Sequence, residues 1–250
     1  VTSLIFTQER FDLIQGIPED IGKLTELKFL AINNTRNFPS PSIKFISNLF
    51  NLEHLDLSAN NIRGMALTSN NFGNLKNLKY LNVSRNELED NLNVLTKQFS
   101  KIKDLDLSQN HFIYDDFNNA FTHLTQLEVL ILSNGILNNV SRALPSILNL
   151  PLSLRVLDLW FCFNIPTTLP INLKSFTNLK SLTLNGNSLY GSLDALAGIT
   201  NLTTLQLGTN SFSGEIPSFI ADMNLISLDF SYNKFSKLPK NFKNLKHLEN

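Results

Sequence analysis

Leu52-Glu53-His54-Leu55-Asp56-Leu57-Ser58-Ala59-Asn60 returns almost unchanged as Ile102-Lys103-Asp104-Leu105-Asp106-Leu107-Ser108-Gln109-Asn110. It returns again as Leu225-Ile226-Ser227-Leu228-Asp229-Phe230-Ser231-Tyr232-Asn233. Within each copy, segments such as His54-Leu55-Asp56-Leu57 alternate apolar and polar residues, the period of a short strand with one face buried. Working outward, the pattern L-x-x-L-x-L-x-x-N starts at Val1, Leu27, Leu52, Leu78, Ile102, Leu127, Leu154, Leu179, Leu202 and Leu225, and an eleventh copy opens at Leu248. A repeat of this length is one supersecondary unit that buries its apolar face only by stacking on its neighbours. It also explains a skewed composition, in which 46 of 250 residues are Leu and 34 are Asn.

The spacing and the repeated string are those of leucine-rich repeats, and the whole chain resembles such an array. The resemblance implies an α/β fold, a right-handed solenoid or horseshoe with a parallel sheet on its concave face. Residues 1–250 read as one array of about ten repeats, with no linker dividing them. The motif Asn (Asn60, Asn86, Asn110, Asn187, Asn210, Asn233) belongs where the chain turns, its amide satisfying backbone groups that would otherwise be orphaned. Glu9, Thr35, Gly135 and Cys162 stand at that position in the other copies, so Cys162 reads as a small buried substitute.

The segments between strands carry the subtype. Gly16-Ile17-Pro18-Glu19 and Ser213-Gly214-Glu215-Ile216-Pro217 resemble the G-x-I-P returns of plant receptor-type repeats, whereas Leu238-Pro239 and Leu169-Pro170 are similar to a shorter form. Proline sets an extended outer backbone, and the following Ile, Leu or Phe plugs the core from the convex side. Two longer returns, Asn37 to Ile43 and Leu144 to Pro151, read as outward bulges. Val1 already fills a core position and Leu248 opens a copy that does not finish, so the chain reads as an uncapped piece of a longer protein.

Composition narrows the function. With 21 basic and 21 acidic residues the formal charge is zero, which argues against nucleic acid as a partner. No apolar run approaches the roughly 18 residues of a membrane span, so no membrane insertion by this segment is expected. Val1-Thr2-Ser3-Leu4 lacks the basic start of a secretory leader. A single cysteine excludes a disulfide framework. The sequence lacks H-E-x-x-H, C-x-x-C and G-x-G-x-x-G, and its four histidines (His54, His111, His123, His247) fall in different repeats or on different walls; no enzyme, cofactor or metal is expected. Asp56, Asp106, Asp158 and Asp229 align at one repeat position, where local bonding to the backbone explains them better than catalysis. Four Asn-x-Ser/Thr sequons begin at Asn33, Asn82, Asn139 and Asn201, about as many as the composition alone predicts.

What remains is recognition. The polar positions flanking the inward leucines form rows across the concave sheet, and the departures from the generic Asp and Ser single out candidate anchors. One patch comprises Phe29, His54, Tyr80, Asn82 and Arg85; a second comprises Val129, Ile131, Trp160 and Phe161. Interface hot spots favour Trp, Tyr and Arg; the alternative is that these side chains merely pack on each other across adjacent strands. A basic stripe of Lys28, Lys79, Lys103, Arg155 and Lys180, broken by Glu53 and Glu128, reads as a solvated face. The expected function is protein or peptide recognition on the concave sheet. The resemblance to plant receptor-type repeats implies that this sheet belongs to a larger receptor-like protein at the cell surface, with a role in ligand perception or signalling. The alternatives are an intracellular or microbial scaffold, or a structural spacer without a dominant site.

Overall fold

The computed structural model describes residues 1–7, 19–34, 43–69, 72–113, 117–134, 144–145 and 148–249, and the chain divides into two compact units, Val1–Leu127 and Glu128–Asn250. The ladder positions assigned above to Glu9, Thr35 and Gly135 lie outside the described residues, as do residues 16–18 of the first G-x-I-P return, residues 37–42 of the first long return and residues 146–147 of the second.

The first unit carries the parallel strands Ser3–Thr7, Phe29–Asn33, His54–Asp56, Tyr80–Asn82 and Asp104–Asp106. They pair without slip, so that Leu4, Leu30, Leu55, Leu81 and Leu105 stand side by side. From Leu30 onward these leucines are fully buried, while the residues flanking them are half-buried, apart from the small Ala31, which is buried. The second unit repeats the arrangement with Val129–Ile131, Val156–Asp158, Ser181–Thr183, Thr204–Gln206 and Ser227–Asp229, which align Leu130, Leu157, Leu182, Leu205 and Leu228.

Opposite the sheets run the returns. They are short 3-10 turns such as Lys44–Asn48, Phe72–Asn74 and Leu173–Ser175, with four-residue helical turns at Ala66–Ser69, Leu92–Leu95 and Phe117–Ala120. Their aromatic plugs, Phe72, Phe99 and Phe121 in one unit and Phe163, Phe176 and Phe212 in the other, are fully buried. In the G-x-I-P return of the second unit, Gly214 takes a left-handed φ of 85°, Ile216 is buried, and Pro217 starts the turn Ser218–Asp222 with φ −61°. Here the second unit builds a small outer parallel sheet from Tyr190–Gly191, Ser211–Glu215 and Lys234–Lys237.

Asparagine side chains close each turn. Asn86 Nδ2 donates to the carbonyls of Leu57 and Val83, both at 2.9 Å, and its Oδ1 accepts from the backbone N–H of Asn60 and Ile62 at 3.0 Å. Asn110 and Asn60 continue the ladder in the first unit, as Asn187, Asn210 and Asn233 do in the second. At the same position, Cys162 is buried and its thiol donates to the Leu132 carbonyl at 3.2 Å, the place an asparagine N–H takes elsewhere.

Candidate functional site

Strand pairing puts Phe29, His54 and Tyr80 in one row, each directly opposite the next. Adjacent parallel strands separated by about 4.8 Å leave flat side chains at ring-stacking distance. The imidazole of His54 lies between the other two rings, 4.1 Å from Phe29 and 3.9 Å from Tyr80, with planes within 10° and 7° of parallel. All three residues are half-buried. Burial holds the His54 pKa below its ordinary value, against the opposing pull of Asp56 and Asp104, and so favours the neutral ring. Burial pushes the Tyr80 hydroxyl up.

On several strands the next outward residue is polar, and it bonds locally. Asp56 Oδ1 accepts from Ser58 N–H at 2.9 Å, Asn82 Oδ1 from Ser84 N–H at 2.9 Å, and Asp106 Oδ1 from Ser108 N–H at 3.0 Å. Asp158 and Asp229 do the same in the second unit. These are turn-closing bonds of the Asx type. They account for the aligned aspartates without catalysis. Asn82 is half-buried and part of this set.

Beyond the strands, the residue before each ladder position adopts left-handed backbone. In the first unit these are Asn34, Ala59, Arg85 and Gln109, with φ between 52° and 57°. Arg85 is exposed, and among the described residues its guanidinium has no ion-pair partner. It borders an open depression of about 420 Å³ lined also by Asn33, Ser58, Ser84, Asp106 and Ser108.

In the second unit the same left-handed row contains Phe161, with φ 55°. Its ring lies against Gly186, where a Cβ would come within 2.6 Å of it. Trp160 and Phe161 remain 44% and 52% exposed, beside half-buried Val129 and Ile131, with Ile131 paired to Asp158. Each candidate patch is thus brought together within its own unit. The first consists of stacked rings and, further along the same copies, a polar hollow bordered by Arg85, the second of aliphatic and aromatic surface.

Three cations of the basic stripe are paired from within it. Glu53 lies 3.7 Å from Lys28 and 2.5 Å from Lys79, and Glu128 lies 3.4 Å from Arg155. These exposed pairs leave a solvated face.

Two features escaped the sequence reading. A second amide ladder runs along the corner where the strands begin, in which Asn51, Asn77, Asn178 and Asn201 donate to the carbonyls of Thr25, Phe50, Leu152 and Thr177. Its signal, an Asn just before the first Leu of a copy, was visible in the sequence. The left-handed row was not, because its occupants share no residue type.

Comparison with known proteins agrees with this geometry. The family model for the leucine-rich repeat matches residues 51–75, 201–223 and 224–245. The crystal structure of PEPR1–AtPEP1 superposes with a TM-score of 0.71 at 26% identity, covering 94% of this chain and 36% of that one. A leucine-rich repeat protein of Leptospira interrogans gives a TM-score of 0.70 at 25% identity, covering 98% of this chain and 64% of that one. A stretch of 188 residues is 30% identical to an adenylate cyclase of Schizosaccharomyces pombe, covering 74% of this chain but only 10% of that protein. The chain is a leucine-rich repeat protein, built as a parallel-sheet solenoid. The fold and its neighbours support a protein-binding module.

Proposed function

We propose that the chain is the recognition segment of a larger receptor-like leucine-rich repeat protein. In this reading its ten repeats form one array, and it binds a protein or peptide on the open, concave face of its sheet. The observation that carries the reading is the Phe29–His54–Tyr80 stack, in copies that also carry the Arg85 hollow. Half-buried rings on a sheet face present flat apolar area at low entropic cost, in the same copies as a cation not used by the fold. Val129, Ile131, Trp160 and Phe161 supply a second anchoring patch.

Likeness to PEPR1, which is paired with AtPEP1 in its structure, supports a peptide ligand, a signalling role and an extracellular or cell-surface location. Among the described residues no helix is long and apolar enough to cross a membrane. Leucine-rich repeats generally serve as non-enzymatic binding scaffolds. The cyclase likeness covers a tenth of that protein, so its activity is not carried over. An intracellular scaffold is the second reading, favoured by the buried lone cysteine, which needs no oxidising compartment.

Alanine replacement of single outward residues tests the assignment. Tyr80→Ala or Trp160→Ala should weaken a selected peptide or protein ligand by about 2 kcal/mol with the fold intact. Lys240→Ala, on a return segment, should leave affinity unchanged. Loss of affinity only on return-segment replacements would refute binding on the sheet.

A further inference from the structure

The hollow bordered by Arg85 has a chemistry of its own. We infer that it is a carboxylate subsite, taking an Asp or Glu side chain of a bound segment onto Arg85, with the hydroxyls of Ser58 and Ser84 as further donors. The subsite rests on peptide binding to the first unit's sheet face.

Three observations converge. Arg85 spends a cation on a left-handed backbone position, φ 56°, where Asn or Gly is the unstrained choice, and no carboxylate of the described residues pairs with it. Ser84 is only 7% exposed, lines the hollow, and its hydroxyl has no hydrogen-bond partner among the described residues. The residue is buried but its hydroxyl still reaches the hollow, where it can donate to an occupant. Ser58, one strand over, also lines the hollow, and its hydroxyl is likewise unpaired among the described residues. A guanidinium with two hydroxyl donors matches the acceptor geometry of a carboxylate.

Charge selects among anions. Asp106 also lines the hollow, and its Oδ1 is turned back to Ser108, accepting from the backbone N–H and from Oγ at 2.6 Å. Its negative charge opposes a dianion such as a phosphoester more strongly than a single carboxylate. Tyr80 and Arg85 belong to one repeat, so an aromatic or apolar side chain on the stack and an acidic one in the hollow can come from one short segment.

The test is a positional-scanning library of acetylated, amidated peptides, which carry no terminal carboxylate, panned against the 250-residue chain and its variants. The expected result is enrichment of Asp or Glu near an aromatic or apolar position, with Glu favoured over Gln roughly tenfold, the worth of one charge-assisted bond. Arg85→Gln should abolish the acidic preference and keep the apolar one; Tyr80→Ala should do the reverse. Ser84→Ala should reduce the acidic preference several-fold. Arg85→Asn, which relieves the backbone, should fold at least as well as the wild type while losing the preference, separating binding from stability.

Apolar enrichment without an acidic preference, or an acidic preference unchanged in Arg85→Gln, overturns the subsite and leaves face binding standing. A preference that appears only in a parallel library with free C-termini overturns the side-chain assignment. No enrichment of either kind overturns both.

Discussion

His54 and Tyr80 face each other ring to ring, centroids 3.9 Å apart and planes 7° from parallel, on strands that pair them residue to residue. With Phe29 on the other side, the imidazole has traded water for two aromatic faces, and burial lowers its pKa from the ordinary 6.5. The folded chain therefore binds this proton less tightly than the unfolded chain. Its contribution to stability is complete above about pH 6.5 and declines as the pH falls from there toward the lower folded-state value. Denaturant titrations from pH 8 to 5 should show that loss, and His54→Phe should flatten it. An unchanged slope in His54→Phe would remove this histidine from the titration.

Asp90 titrates with the opposite sign. It is fully buried behind the return of the first unit, accepting from Thr68 N–H at 2.7 Å, Thr68 Oγ1 at 2.6 Å and Leu67 N–H at 3.3 Å. Desolvation outweighs those bonds and raises its pKa above 3.8. The folded chain then holds the proton more tightly, so this contribution is complete below about pH 3.8 and is lost as the pH rises through the folded-state value. Asp90→Asn keeps an acceptor oxygen and should remove that loss. Asp90→Ala leaves the buried Leu67 N–H and the half-buried Thr68 N–H unpaired and should cost about 1–3 kcal/mol at neutral pH, measured by denaturation.

The asparagine ladder makes a sharper stability prediction. Asn110 Nδ2 donates to Val83, Leu107 and Ser108 carbonyls, and its Oδ1 accepts from Leu88 N–H. Asn110→Ala should cost about 1–3 kcal/mol. Leu105→Ala, which empties a core position that is 1% exposed, should cost about 2–5 kcal/mol. The second ladder is more exposed, so Asn77→Ala, which loses solvent-exposed bonds to the Phe50 carbonyl (3.3 Å) and from Lys101 Nζ (2.9 Å), should cost under about 1 kcal/mol. A cost for Asn77→Ala equal to that for Asn110→Ala would contradict this ranking.

The sequence disclosed what repeats. Leu55, Leu81 and Leu105 announce strand, register and burial together, because period-two alternation is tied directly to the pleat. Asn60, Asn86 and Asn110 are legible for a similar reason, since a short side-chain amide offers two donors and an acceptor to the neighbouring turns at once. The stack of Phe29, His54 and Tyr80 was half legible: the residues stand at one position of successive copies, but whether they point to solvent or close on one another depends on rotamers. The hollow was illegible. Ser58 and Ser84 stand at the repeat's generic serine position and so signal nothing by themselves; the hollow arises from how they sit with Arg85 once the backbone turns left-handed.

The left-handed row itself can be tested at Thr209, where φ is 55° and the side chain is β-branched. Such a residue in this region is an outlier, since its Cβ substituents crowd the following carbonyl, and the penalty is about 1–2 kcal/mol. The structure holds it there because Thr209 N–H donates to the Ser231 carbonyl at 2.9 Å, within a row in which Phe161 and Gly186 make the equivalent bonds to Asn185 and Gly208. Gly186 shows which residue the backbone prefers, and Asn134 shows the tolerated alternative. Thr209→Asn should therefore keep the inter-repeat bond and raise stability by about 0.5–1 kcal/mol, seen as a higher denaturation midpoint with an unchanged slope. Thr209→Val, equally branched and without the hydroxyl, should give no gain. A midpoint that falls in Thr209→Asn would show that the threonine side chain, rather than the backbone bond, is what holds this turn.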